Sequence, residues 1–302
     1  MYDTIRAELT QEDLTFSPLD VVEGLENVVE SYKNGLPYWT GNAGCLKVCV
    51  NNWSIRLEGS LCKFWYGNNL QGLTRQQTQG AIYRLAEILQ TDISKARVTR
   101  LDLGANLLVS GSCCEYLAML GECGRYKAGW NYQTQTQSYK QKAKELIVYD
   151  KIREYKDKGG LIPVEFEGQN LLRVEYRVFG HISRQIGWYD KVRLGDLYKE
   201  QFYSFVLDRW RDEYYKISKL KDKVMGTITN DSDIITMLAS EGLKSRGAGA
   251  IAELIDMLKK RGYETNYPRL RAKLKALLDR GEDNGLAGEL DMLVDEIVKY
   301  KR

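Results

Sequence analysis

A chain of 302 residues, 43% hydrophobic and 28% charged, has the composition of a soluble globular protein, with enough length for one substantial core and a second, smaller unit. The formal net charge of +3 excludes a global field for a polyanion, so any nucleic-acid surface has to be a local patch. A single histidine, His181, excludes every mechanism that needs two, and leaves the chemistry to carboxylates, Tyr, Lys and Arg. No basic stretch with an apolar run behind it reads as a signal peptide, and no apolar run approaches the ~20 residues of a membrane span. The six cysteines, at 45, 49, 62, 113, 114 and 123, lack C-x-x-C pairs and read as the reduced thiols of a cytoplasmic protein.

In chain order, residues 19–33 read as a short helix ending near Asn34-Gly35-Leu36-Pro37. Residues 53–66 read as a strand in which Ile55, Leu57 and Leu61 alternate with polar residues, closed by the loop signal Gly67-Asn68-Asn69. Residues 74–90 read as an amphipathic helix with Thr74 as N-cap and Ile82, Leu85, Ile88 and Leu89 on its apolar face. Strands are expected at 98–107, 145–150 and 171–179, and an aromatic-rich helix over roughly 194–217. Beyond Asn230-Asp231-Ser232 only helical patterns occur, separated by glycines. The reading is therefore α+β: a central, mainly antiparallel sheet with helices on one face, then a smaller all-helical C-terminal domain. The boundary is placed near 220–231, giving a domain at 1–220 and another at 231–302 that binds DNA or oligomerises.

Three of the strands are apolar on one side and mix acids with arginines on the other: Arg56 with Glu58, Arg100 with Asp102, and Arg173 with Glu175 and Arg177. A solvated sheet face with cross-strand ion pairs explains that pattern. So does a metal-assisted phosphodiester site, in which converging carboxylates hold Mg²⁺ or Mn²⁺ and arginines position the phosphate. Pattern alone leaves both open.

Four segments in fixed order resemble the filamentous-phage gene II/X-type replication initiators, a family of phage and plasmid rolling-circle proteins of the HUH-like nickase superfamily. They are Gly59-Ser60-Leu61-Cys62-Lys63-Phe64 leading to Gly67-Asn68-Asn69-Leu70, Val98-Thr99-Arg100-Leu101-Asp102, Leu146-Ile147-Val148-Tyr149-Asp150-Lys151 with Glu154, and Leu172-Arg173-Val174-Glu175-Tyr176-Arg177. The resemblance implies an endonuclease that nicks and rejoins one strand at an origin through a 5′-phosphotyrosine. It makes Tyr149 the nucleophile, with Lys151 beside the phosphate or phenolate, and Asp102, Glu154 and Glu175 the metal-binding acids. Where the family has Gly-His-Asn this chain has Gly67-Asn68-Asn69, so Asn68 or another group takes the place of the histidine. Tyr139, Tyr155 and Tyr176 are the rival tyrosines. Glu154 can join Tyr149 only if the strand ends near Asp150 and the chain turns, because five residues along one straight element put them on different faces.

Phosphate and DNA contacts are expected from Arg100, Arg173, Arg177, Lys63 and Asn68, and from Tyr126, Trp130 and Lys140 in the aromatic and basic stretch 125–144, a composition that suits single strands or a plain polar hairpin. The expected partners are origin DNA, single-stranded and duplex, with a host helicase and polymerase, in the cytoplasm of a bacterial cell and without a membrane. A non-catalytic origin-binding initiator and a metal-dependent hydrolase are the rival functions.

Overall fold

A computed structural model describes residues 1–14, 16–131, 133–220, 235, 238–240, 242, 243, 245–247, 249–278 and 285–301. The fold is α+β, with a large, mainly antiparallel sheet, helices, and a helical region towards the C-terminal end. The boundary expected near 220–231 lies almost wholly outside the described residues. Contacts divide the chain into two compact units that are discontinuous in sequence: residues 1–106, 175–211 and 297–302, and residues 107–174 and 212–296.

The first unit is built on strands β1 (Tyr2–Thr10), β2 (Glu26–Lys33), β3 (Leu36–Ala43), β4 (Leu46–Asn51), β5 (Ser54–Ser60) and β6 (Arg97–Leu108), in the order β2-β3-β4-β5-β1-β6, followed by residues 175–179. Helices α1 (Leu61–Tyr66) and α2 (Arg75–Ile88) belong to it. The expected helix over 19–33 is instead a 3-10 turn at Pro18–Gly24 followed by β2. The Asn34-Gly35 pair explains the difference: both residues have positive φ (52° and 78°), the backbone of a tight hairpin turn, and it pairs β2 with β3. The expected strand over 53–66 stops at Ser60, whose side chain accepts from the Lys63 amide and caps α1. Helix α2 begins as read, with Thr74 and Gln77 forming a capping box. Strand β1 was not expected, although Ile5, Ala7 and Leu9 alternate with Thr4, Arg6 and Glu8 and are fully buried.

In the second unit, α3 (Cys113–Met119) and β7 (Leu120–Cys123) precede a hairpin of β8 (Lys127–Asn131) and β9 (Thr136–Lys140). Strand β10 (Lys144–Asp150) follows, and α4 (Lys151–Asp157) leaves it directly. Strand β11 (Leu171–Phe179) starts in this unit and ends in the first, and the sheet order here is residues 171–174, then β10, β9 and β8. After α5 (Ile182–Ile186), the aromatic-rich helix is α6 (Glu200–Tyr214), shorter than expected because residues 194–196 form a 3-10 turn and β12 (Ile217–Lys219) pairs with β7. Helices α7 (Ala250–Lys260), α8 (Tyr267–Leu278) and α9 (Leu286–Lys301) complete the chain. Ile251 and Ile255 of α7 and Leu278 of α8 are buried together in an apolar cluster, with Leu220 and Leu274 packed against it. Carboxylates of α9 take tyrosine hydroxyls: Glu289 accepts from Tyr116 and from Ser110 Oγ (2.8 Å), and Asp291 from Tyr214 (2.5 Å).

Among the described residues no helix is long and apolar enough to cross a membrane. Trp210 of α6 is fully buried in the first unit. Trp210→Ala is expected to cost roughly 3–5 kcal/mol of stability in urea unfolding, and a loss below about 1 kcal/mol would contradict its place in the core.

Candidate nicking site

The acid-and-arginine pattern becomes a row of cross-strand partners in the first unit. Arg6 of β1 lies opposite Glu58 of β5 on one side and Arg100 of β6 on the other. Arg6 grips Glu58 with two hydrogen bonds (2.8 and 2.9 Å), which hold that carboxyl below its ordinary value with help from Arg100. Arg100 reaches Glu58 at 3.4 Å but binds Asp102 more closely, its Nη2 2.6 Å from Oδ2 and its Nε 3.0 Å from Oδ1. Arg177 donates to Glu175 at 2.8 Å and stands 3.9 Å from Asp102. Residues two apart on one strand share a face, so β6 and β11 each present an acid and an arginine side by side.

Asp102 has 0% exposure. Burial pushes its pKa up to about 6, the Glu175 charge adds to the rise, and the guanidinium of Arg100 opposes it. Two carboxylates are thus crowded into one buried place. No group of three His, Cys, Asp or Glu able to hold a metal ion occurs among the described residues.

The second unit holds Tyr149, Lys151 and Glu154. Strand β10 ends at Asp150, whose side chain caps α4 by accepting from the Arg153 amide (2.9 Å). That is the turn the spacing required, and it uses one oxygen of the Asp150 carboxylate for the cap. Lys151, 1% exposed on its side chain, donates to Glu154 at 2.7 Å, and Lys158 binds the other oxygen of the same carboxylate. Burial pushes Glu154 up, but the two lysines outweigh it and hold its pKa below the ordinary value. The Lys151 ammonium stands 6.0 Å from the centre of the Tyr149 ring and 5.9 Å from that of Tyr155. Tyr149 is 7% exposed.

Among the rivals, Tyr139 is fully buried and donates to the Gly121 carbonyl at 2.8 Å, and Tyr176 is fully buried; Tyr155 is partly exposed. The remaining expected contacts separate. Lys63 is exposed on α1, whereas Arg173 is buried. The Asn68 amide oxygen accepts from the Leu70 amide at 3.0 Å, which commits it to a turn. Its neighbour Asn69 is the more enclosed: it donates to Asp3 at 3.2 Å, and its buried Oδ1 meets no hydrogen-bond donor among the described residues. In the hairpin, Tyr126 donates to Glu213 (2.7 Å), and the backbone of Gly247 packs so close to Trp130 that a Cβ there would come within 2.9 Å of it. Lys140 is exposed and paired with Glu145 at 3.1 Å. The stretch 125–144 therefore turns much of its aromatic surface inward. The sequence reading missed Arg6 and Asp3, although the alternation along residues 4–9 marks Arg6 as facing the polar side.

A match to the Phage CRI family, described as the N-terminal part of a phage replication-associated protein, covers residues 1–201. The chain belongs to this family of replication-associated proteins. The match takes in β1 to α5 and so every residue of the acid–arginine row, Tyr149, Lys151 and Glu154. No curated protein matches the chain. A solved structure, titled as a rolling circle replication initiator protein from Geobacillus stearothermophilus, is 12% identical, with a TM-score of 0.35 over 93% of this chain and 98% of that one. A likeness at that level carries no argument.

The raised pKa of Asp102 makes a stability prediction for this Phage CRI protein. The folded state holds the Asp102 proton more tightly than the unfolded state, whose pKa is near 3.9, so stability falls as pH rises from about 4 to about 6, by roughly 3 kcal/mol in all. Asp102→Asn removes that decline: in urea unfolding the variant gains on the wild type across this window and keeps the gain above it. Parallel profiles from pH 4 to 8 would contradict the shift.

Proposed function

We propose that this chain starts rolling-circle replication by cutting one strand of its origin DNA and keeping the cut end as a phosphotyrosine on Tyr149. The observation that supports the choice is the buried Lys151 ammonium, fixed by Glu154 beside the Tyr149 ring at the end of β10. A phenol titrates near ~10 and becomes a nucleophile at neutral pH only when a cation favours the phenolate. Lys151 supplies that charge, and Glu154 holds it in place. The Tyr149 oxygen attacks phosphorus, the bond to the 3′ oxygen breaks, and that oxygen leaves with a proton as the 3′-hydroxyl. The 5′-phosphate stays on the enzyme as an ester. An incoming 3′-hydroxyl later reverses the step, releases Tyr149 and closes the strand. Unwinding and synthesis in between fall to the host's helicase and polymerase, in the host cytoplasm.

A divalent cation, Mg²⁺ or Mn²⁺, fits two of the three expected acids. Asp102 and Glu175 are hard oxygen donors, both buried, with charges that repel one another, and these two would hold it. Such an ion would supply charge neutralisation to a phosphate held beside it. Glu154 is already committed to Lys151 and Lys158 and acts as a positioning residue for Lys151. Arg100 and Arg177 offer the planar fork that suits a phosphate, and they balance the two acids in the free protein.

One observation favours a second reading of the nucleophile: Lys151 lies as close to the Tyr155 ring as to the Tyr149 ring, and Tyr155 is the more exposed. Single-stranded origin DNA incubated with Mg²⁺ or Mn²⁺ separates the possibilities on a denaturing gel. Wild type and Tyr155→Phe are expected to give a protein–DNA adduct, while Tyr149→Phe lowers its rate by roughly three orders of magnitude or more. An adduct that survives in Tyr149→Phe and disappears in Tyr155→Phe moves the nucleophile. Cleavage with no adduct in the wild type makes the protein a hydrolase, and origin binding without cleavage makes it a non-catalytic initiator.

A further inference from the structure

The polar row of the first unit does not stop at Glu58. Its cross-strand partners continue through Lys47 of β4 and Asn42 of β3 to the exposed Glu26 of β2, and Asn42, Lys47, Glu58, Arg6 and Arg100 stand opposite one another across five strands. Four strand steps of ~4.8 Å make this path about 19 Å long. A parallel row runs from Thr40 through Cys49 and Arg56 to Glu8, and a third takes Tyr38 and Asn51. The opposite face of these strands is the buried one, carrying Leu46, Val48, Val50, Ile55 and Leu57. Two open hollows lie along the polar face. One, of about 500 Å³, is lined by Asn42, Lys47, Arg56 and Glu58. The other, of about 450 Å³, is lined by Lys33, Tyr38, Trp53 and Arg56.

The chemistry of this face points to one occupant. Trp53 is 51% exposed, and Asn51 fixes the turn that carries it by accepting from the amides of Trp53 (2.9 Å) and Ser54 (2.8 Å). Arg56 leaves half of its side chain in solvent while paired with Glu8 at 3.0 Å. Lys33 and Lys47 are exposed and meet no acid within ion-pair distance among the described residues, whereas Glu58, the acid that lines the first hollow, is already bound by Arg6. A positive excess beside rigid aromatic rings is complementary to a strand that carries a phosphate and a base at every step. The exposed apolar residues of this face, Val29 and Leu36, lie at its β2–β3 end, and the charged rows between there and Arg100 favour a polyanion over a peptide or a second copy.

We infer that the β3–β5 face is a single-stranded DNA path, with phosphates on Lys33, Lys47 and Arg56 and bases stacked on Trp53 and Tyr38, leading along the sheet to the acid–arginine row at Arg100. This rests on the nicking reading above and names how its substrate is held.

The test measures binding of a fluorescent mixed-sequence oligonucleotide by anisotropy, in the full chain carrying Tyr149→Phe so that no strand is cut. Trp53→Ala is expected to weaken binding roughly five- to a hundredfold. Lys33→Ala with Lys47→Ala is expected to lower the slope of log affinity against log salt by about 1.4, ~0.7 for each phosphate lost. The same sequence as a duplex is expected to be affected less. Unchanged affinity and slope overturn the inference, as does an equal loss for the duplex or a changed oligomeric state of the DNA-free variants in sedimentation. If Trp53→Ala fails to fold, the lysine pair decides alone. Adduct formation by the wild type is scored separately. An adduct with unaltered binding in the variants removes the path and leaves the nickase, and altered binding with no adduct removes the nickase and leaves the path.

Discussion

Burying a carboxylate in the middle of a sheet face is costly unless a cation meets it, and the first unit is organised around that requirement at Asp102. Arg100, two residues earlier on the same strand, is placed by the pleat to answer it, and Arg177 does the same for Glu175. Arg6 then ties β1 to β5 through Glu58, an ion pair that reinforces the backbone ladder between these strands. The guanidinium forks of these arginines match the two oxygens of a phosphate. In the structure, the polar face is balanced by its own arginines.

The tyrosine side of the chemistry depends on a local event of another kind. Strand β10 ends because Asp150 caps the next helix, and the cap places Lys151 at the first helical position, with Glu154 one turn on. A lysine with almost no exposed side chain is costly, and its bond to Glu154, a carboxylate that Lys158 also holds, offsets part of that cost. The same ammonium stands 6.0 Å from the centre of the Tyr149 ring and 5.9 Å from that of Tyr155.

Much of the sheet is legible because apolar and polar residue types alternate along its strands. Apolar and polar or small residues alternate over 101–107 of β6 and 172–178 of β11, and β11 is found at its expected bounds. Strand β2 was read as a helix because almost all of its residues are exposed, so no period-2 burial separates its faces. The Asn34-Gly35 turn held the better signal. The roles of Tyr126 and Trp130 were illegible for a different reason: a distant acid, Glu213, and a glycine with positive φ, Gly247, cover them, and neither is announced in the local sequence. The preference for Tyr149 came from resemblance to a family, and its position beside Lys151 is a fact that spacing could not supply.

Peptide mass spectrometry of the trapped adduct tests the proposed bond between Tyr149 and the 5′-phosphate most directly. After nuclease and trypsin digestion, the account predicts a nucleotide remnant on the peptide Glu145–Lys151, which contains Tyr149. A remnant on the peptide Glu154–Lys156, which contains Tyr155, or on neither, would contradict it.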